Sequence, residues 1–112
     1  MSSFRNTDIL IIGSGLSGLS AALMLPDNLN ITLITKTTLD ECSTSWAQGG
    51  IASVLSNDDK FDIHIEDTLT NGHELNNRDV VEKIIKNGPS MITWLVNQKI
   101  KFSNKNRKLD LT

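Results

Sequence analysis

The sequence predicts an α/β fold, a parallel sheet flanked by helices, and three observations predict it. An apolar run, Ile9 to Ile12, leads directly into glycines at positions 13, 15 and 18. A stretch of small and apolar residues from Gly15 to Leu25 follows and is stopped by Pro26, Asp27 and Asn28. The β-branched segment "ITLIT", Ile31 to Thr35, then completes a strand, helix, strand unit.

Each element has a local reason. Ile9 to Ile12 is bounded by Asp8 and Gly13, and so continuous an apolar run predicts a strand buried on both faces. Gly15 to Leu25 permits close helix packing, and proline ends it. Lys36 to Ser45 is polar and rich in threonine and serine, and "WAQGGIASV" follows from Trp46 to Val54. The paired Gly49 and Gly50 imply backbone geometry or a close approach that a side chain would forbid. Asn57-Asp58-Asp59 reads as a turn.

Phe61, Ile65 and Leu69 recur every four residues, which predicts a helix from about Phe61 to Thr70 with His64 and Thr68 on an adjoining stripe. Asn76 or Asn77 caps the next helix, whose apolar face is Val80, Val81, Ile84 and Ile85 and which ends at Asn87-Gly88. Pro89 suits the first turn of a third helix, with Met91, Ile92, Leu95 and Val96 buried and Trp94 in the core. Ile100 and Phe102 alternate like a short strand.

Composition excludes several function classes. The chain has 112 residues, 38% hydrophobic and 21% charged with a net charge of −2, which suits one globular domain. That balance gives no reason to expect nucleic-acid binding, and the basic stretch from Lys99 to Lys108 reads as solvated surface. The N-terminus has no apolar signal core and Ile9 to Ile12 is too short to span a bilayer, so the expectation is a cytoplasmic protein with no membrane partner. One cysteine, Cys42, excludes an internal disulfide and a multi-cysteine metal site, and reads as a small, partly buried side chain.

His64 and Asp67 stand one helical turn apart, but two possible ligands without a third are better read as a hydrogen-bonding pair on a helix. His73 reads as surface. No metal ligand and no catalytic residue is assigned.

The glycines carry the functional signal. Gly13, Gly15 and Gly18 form G-x-G-x-x-G directly after a strand and at the opening of a helix. In that setting Gly13 permits the turn, Gly15 lets the backbone approach a pyrophosphate, and Gly18 allows the helix to pack near the strand. The N–H groups at the helix start, with its positive dipole end, suit the phosphates. The prediction is a Rossmann-like FAD/NAD(P)-binding fold. Binding across such a sheet normally takes two such halves, so this chain carries an incomplete parallel sheet. The usual acidic partner of the ribose, about 20 residues on, is replaced here by Thr35 and Lys36. A simple NAD reading therefore weakens, while a lysine there suits either a 2′-phosphate or the adenosine side of FAD.

A second motif narrows the choice. "STSWAQGGIASV", Ser43 to Val54, resembles the succinate dehydrogenase and fumarate reductase flavoprotein family, in which an A-Q-G-G-I segment lies along the flavin. Ala47, Gln48, Gly49, Gly50 and Ile51 match it, and the resemblance runs from Asp8 to about Phe102. It implies FAD as cofactor, contacted by Gly13, Ser14, Gly15, Leu16, Ser17 and Gly18 in the loop. It further implies contacts from Lys36 after the second strand, and from Ser43, Thr44, Ser45, Trp46, Ala47, Gln48, Gly49 and Gly50. For Ser43, Thr44 and Ser45 the residues alone leave an equal alternative, a hydroxyl-rich loop satisfying its own backbone. Membrane-complex members carry a covalently flavinylated histidine where this chain has Ser43, so the resemblance implies non-covalent FAD.

The likeness is closer to the soluble branch of that family that oxidises L-aspartate, with oxygen or fumarate as acceptor and iminoaspartate passing to quinolinate synthase. A soluble fumarate reductase or succinate dehydrogenase flavoprotein, and a non-catalytic nucleotide-binding remnant, stay open beside it. The family's substrate-clamping arginines and its R-E-G-G-H motif match nothing here, Arg78 and Arg107 included. The expectation is that residues 1–112 form the N-terminal part of an FAD-binding domain, without the capping and C-terminal helical domains, inactive and marginally stable alone.

Overall fold

The computed structural model describes residues 4–47, 49–105 and 108–111. They fall into two compact units, residues 1–49 and 50–112.

The first unit is built from strand β1 (Ile9–Ile12), helix α1 (Leu16–Met24), strand β2 (Ile31–Ile34) and the short helix α2 (Ser43–Trp46). The two strands pair in parallel, with Ile9 opposite Ile31 and Ile12 opposite Ile34. Polar groups fix this register at the start of the strands. Asp8 Oδ2 accepts from the Asn30 N–H at 2.8 Å, and the Thr7 hydroxyl donates to the Asn30 carbonyl at 2.7 Å. At the other end the Gly13 N–H donates to the Ile34 carbonyl at 2.8 Å, so the ladder runs into the first glycine. α1 ends at Leu25 in extended conformation, as the residue before a proline is pushed out of the helical region.

β1 departs from the sequence expectation. Its residues alternate between half-buried and exposed, with Leu10 53% and Ile12 79% exposed, so it is not buried on both faces. A sheet of two strands with one helix packed on it has a single covered face, whatever the sequence of the strand. The one-turn helix α2 lies in the hydroxyl-rich stretch, whose residues carry no helical periodicity that would announce it.

The second unit consists of helix α3 (Phe61–Asn71), helix α4 (Arg78–Asn97) and a hairpin of strands β3 (Asn104–Lys105) and β4 (Lys108–Leu109). Val54, Ile65, Val81 and Ile85 form its core, with Phe61 and Leu69 packed against them. Ile65 is 2% exposed, and burial of such a side chain contributes about 2 kcal/mol. The turn at Asn57-Asp58 forms as expected, the Asp58 N–H donating to Ser56 Oγ. Asn77 caps α4 by accepting from the Val80 N–H at 3.2 Å, and Asn76 donates to the Thr68 carbonyl at the end of α3. Arg78 ties the two helices together through Glu66 at 2.7 Å.

α4 is a single helix where the sequence suggested two, and it runs through Gly88 and Pro89 without interruption. An interior proline costs about 3 kcal/mol, because it removes the N–H due to the residue 85 carbonyl and crowds that turn. Against this, Val81, Ile85, Ile92 and Leu95 all lie buried along the helix, and each contributes about 1.5–3 kcal/mol. The apolar stripe outweighs the break. The stripe is narrower than expected, however: Val80, Ile84, Met91 and Val96 are exposed, because only one face of α4 meets the core. Trp94 is half-buried rather than fully in the core.

Ile100 and Phe102 do not form a strand either. The Lys99 N–H donates to the Val96 carbonyl and the Ile100 N–H to the Leu95 carbonyl, with Lys99 at φ +69°. This is the Schellman ending of a helix, so residues 99 and 100 are occupied in closing α4. The strands follow later, with Asn104 opposite Leu109.

Candidate functional site

The site is built where β1 meets α1. Gly13 sits at φ +110°, a conformation L side chains rarely adopt, so the turn out of the strand requires glycine. Gly18 is constrained by space: a Cβ there would run into the carbonyl oxygen of Gly13 and lie 3.3 Å from Ile11 Cγ2. These two glycines therefore perform the turn and helix-packing roles that the motif assigned them. Gly15 is different. A Cβ on it would meet only Thr44 Oγ1, at an ordinary 3.5 Å. The protein itself leaves room there, as a loop that a phosphate group approaches should.

Gly15 is the N-cap of α1 and has no side-chain cap. The Leu19 N–H donates to the Gly15 carbonyl and the Leu16 N–H to Thr44 Oγ1 at 3.2 Å, while the N–H groups of Ser17 and Gly18 find no acceptor among the described residues. A helix start with free N–H groups and a positive dipole end is an anion-binding surface. Ser14 is 3% exposed, its hydroxyl 3.1 Å from that of Thr35 at the end of β2. The side chain of Ser14 thus braces the loop against the second strand, leaving its backbone to face a ligand. Thr35 is the partner sequence reasoning passed over; a hydroxyl residue at the strand end, in the place of the usual acid, was the available signal.

Thr44 links the two motifs. α2 is held by its own backbone, with the Ser45 N–H donating to the Cys42 carbonyl at 3.0 Å. Ser45 Oγ lies 3.4 Å from the Cys42 sulfur, and this hydrogen bond lowers the Cys42 thiol pKa. Ser43, Thr44, Ser45, Trp46 and Ala47 are all exposed, Trp46 at 76%. Of the two readings of the hydroxyl-rich stretch, Thr44 thus departs from the self-satisfied loop: its hydroxyl reaches 28 residues back to the glycine loop.

The structure places Lys36 exposed, immediately after Thr35. Gly49 is exposed and no described atom of the chain lies within 4 Å of a Cβ built on it. Gly50 has the same open surroundings and begins the second compact unit. No protein neighbour requires glycine at either position, so the close approach expected there is not one between described parts of the chain. Gln48 lies outside the described residues.

His64 and Asp67 make no hydrogen bond to each other's side chains among the described residues; the His64 carbonyl accepts from the Thr68 hydroxyl at 2.8 Å and the Asp67 carbonyl from Asn71 Nδ2. No helix among the described residues is long and apolar enough to cross a membrane.

A parallel β-α-β unit with a glycine turn at the helix start defines a dinucleotide-binding α/β domain. The chain matches the FAD binding domain family over residues 8–112 and belongs to it. The cofactor of this fold is therefore FAD, which the open Gly15 cradle and the free N–H groups of α1 fit, and the NAD and NADP readings fall away.

Among relatives, the chain is 43% identical over 103 residues to the L-aspartate oxidase of Pseudomonas aeruginosa, covering 92% of this chain and 19% of that protein. It is 43% identical over 101 residues to the L-aspartate oxidase of Yersinia pestis, covering 90% of this chain and 19% of that one. A mutant FrdA of the E. coli quinol fumarate reductase shares its structure with a TM-score of 0.91 at 30% identity, over 100% of this chain and 20% of that chain. The chain spans about a fifth of the length of the curated relatives it matches.

Proposed function

We propose that these residues are the N-terminal, FAD-binding part of an L-aspartate oxidase that converts L-aspartate to iminoaspartate with oxygen or fumarate as acceptor. On this reading the capping and C-terminal helical domains lie beyond residue 112, the protein works in the cytoplasm, and its product passes to quinolinate synthase in the first step of de novo NAD biosynthesis. FAD supplies the hydride-accepting chemistry when bound. The residues of this segment bind and orient it: the backbone from Gly13 to Gly18 at the pyrophosphate, Lys36 toward the adenosine, and Ser43 to Gly50 along the flavin. Ser43 stands where covalent members of the family carry histidine, so the FAD is held without a covalent bond. The single observation that carries the reading is the meeting of the glycine loop with the second motif at Thr44, in a chain whose relatives are named L-aspartate oxidases.

The similarity to the fumarate reductase structure lends partial support to a second reading, a fumarate reductase or succinate dehydrogenase flavoprotein. Purified full-length protein given L-aspartate, succinate or fumarate separates the two. Aspartate-dependent peroxide formation, with flavin released intact by acid, supports the oxidase. Succinate or fumarate turnover without aspartate turnover supports the reductase. Bound FAD with no turnover of any of the three identifies a non-catalytic remnant.

A further inference from the structure

We infer that Ser53 and Gly88 form a matched pair that seats the chain from Gly50 to Val54 on α4, which makes Ser53 a positioning residue for the backbone next to the flavin. The inference rests on the FAD reading and goes beyond it, because neither residue is among those that the family resemblance brings against the cofactor.

Three observations carry it. α4 buries one stripe, Val81, Ile85, Ile92 and Leu95, and Gly88 falls in it, three residues after Ile85 and four before Ile92. Helical side chains at that spacing share a face, so Gly88 is a notch in an otherwise apolar stripe. Ser53 fills the notch: a Cβ on Gly88 would lie 2.8 Å from Ser53 Oγ, 3.6 Å from its Cβ and 3.8 Å from its Cα. The helix itself has no use for glycine there, since glycine in a helix interior is less favourable than alanine. The hydroxyl gains nothing from its burial either. Ser53 Oγ is shut off from solvent without a hydrogen-bond partner among the described residues, a cost that alanine would avoid. Two locally unfavourable choices that fit one another, beside the proline at 89, mark a place where the position of the chain is what they serve. The next residue, Val54, lies in the core with Ile65, Val81 and Ile85, so residues 53 and 54 hold the chain to α4 at neighbouring points. Just before them Gly50 and Ile51 are exposed, and no described atom lies within 4 Å of a Cβ built on Gly50. With no such neighbour at Gly50, that backbone takes its place from the Ser53 seat.

The test uses the full-length protein, apo and reconstituted with FAD, and the variants Gly88→Ala, Ser53→Ala and the two combined. FAD affinity is read by quenching of flavin fluorescence, the flavin surroundings by visible circular dichroism, and stability by the thermal midpoint of the apoprotein. Gly88→Ala drives a methyl group into Ser53 and lifts the segment. The expected result is an FAD Kd about tenfold weaker, from overpacking passed on to the site, with an altered flavin dichroism. Ser53→Ala leaves the notch partly empty, and a smaller change in the same direction is expected. In the combined variant the new methyl group at position 88 takes the place of the lost hydroxyl. Affinity and dichroism are then expected to return to wild-type values while the thermal midpoint rises above wild type. Losses that add in the combined variant would overturn the matched pair. A lower thermal midpoint in Gly88→Ala with unchanged Kd and dichroism would overturn the positioning role, since that pattern belongs to core packing alone. If Gly88→Ala does not fold, the loss in Ser53→Ala and its recovery in the combined variant carry the same decision. Wild-type protein that binds no FAD would instead overturn the underlying reading, which distinguishes the two failures.

Discussion

The two compact units of this chain invest their buried surface differently. In residues 50–112 the buried side chains are apolar: Val54, Ile65, Val81, Ile85, Ile92 and Leu95. In residues 1–49 the one buried side chain among those described is polar, Ser14, and the strand residues Leu10 and Ile12 stand exposed. The helical unit has a core of its own, whereas the glycine-loop unit is held by main-chain geometry, a register clamp and the hydroxyl pair of Ser14 and Thr35. The first unit is thus held by backbone geometry and polar clamps, and the second by apolar packing. A site that must leave backbone N–H groups free at a helix start cannot also bury that surface in a core.

The largest expected effect follows from that contrast. Ile65→Ala removes the most buried side chain of the helical unit, and such truncations cost about 2–5 kcal/mol. Hydrogen exchange of the 112-residue chain is expected to show amides of α3 and α4 losing protection while those of β1 and β2 keep theirs. Equal loss in both units would break the comparison, because it would mean that they unfold as one.

Gly18→Ala attacks the other unit. The added Cβ meets the Gly13 carbonyl oxygen, which is backbone and cannot swing aside, and overpacking of this kind costs about 1–3 kcal/mol. Protection in β1, α1 and β2 is expected to fall, and FAD binding by the full-length protein with it. Gly15→Ala sharpens the point: its Cβ finds ordinary contact distance in the protein, so folding is expected to survive while FAD affinity drops. A Gly15→Ala variant with unchanged affinity would remove Gly15 from the phosphate site.

Much of this was legible in the residues, and the failures share a cause. β1, β2, α1 and α3 follow from local pattern, and G-x-G-x-x-G placed the turn at Gly13, the helix start at Gly15 and the close helix packing at Gly18 correctly. Sequence reasoning failed wherever an element's environment decided the outcome. Proline at 89 is a local stop signal, yet the stripe from Val81 to Leu95 carries the helix past it. The run Ile9 to Ile12 reads as doubly buried, yet burial needs neighbours that two strands and one helix do not supply. At the site, the loop was visible from its glycines, but the bonds from Leu16 to Thr44 and from Ser14 to Thr35 join distant segments and leave no periodicity to read.

The helix end at Lys99 offers a smaller, stabilising change. Lys99 holds φ +69° to complete the Schellman ending of α4, a conformation that costs a side-chain-bearing residue about 1–2 kcal/mol. Glycine there avoids that cost but adds about 0.5–1 kcal/mol of chain entropy in the unfolded state. Lys99→Gly is therefore expected to raise stability by about 0.5–1 kcal/mol, read as a higher urea midpoint with an unchanged slope. A lower midpoint would show that the lysine side chain contributes more at this turn than its backbone strain costs.

The smallest expected effect lies on the solvent face of α4, where Glu82 receives Lys86 at 2.9 Å and Arg78 at 3.7 Å. The hydrogen bond from Lys86, and then the charge of Lys86, hold the Glu82 carboxyl below the usual glutamate range. A carboxyl whose pKa is lower in the folded chain than in the unfolded one stabilises the fold above its unfolded pKa, about 4.3, and loses that contribution as pH falls through the folded value. Glu82→Gln is expected to lower the urea midpoint slightly at pH 7, less so in 1 M salt, and to match the wild type once the carboxyl is protonated. Exposed ion pairs are weak because water and salt screen them. A Glu82→Gln effect that persisted in high salt and at low pH would therefore belong to packing against α4, and would move this exposed face from solvent decoration into the part of the helical unit that holds the fold together.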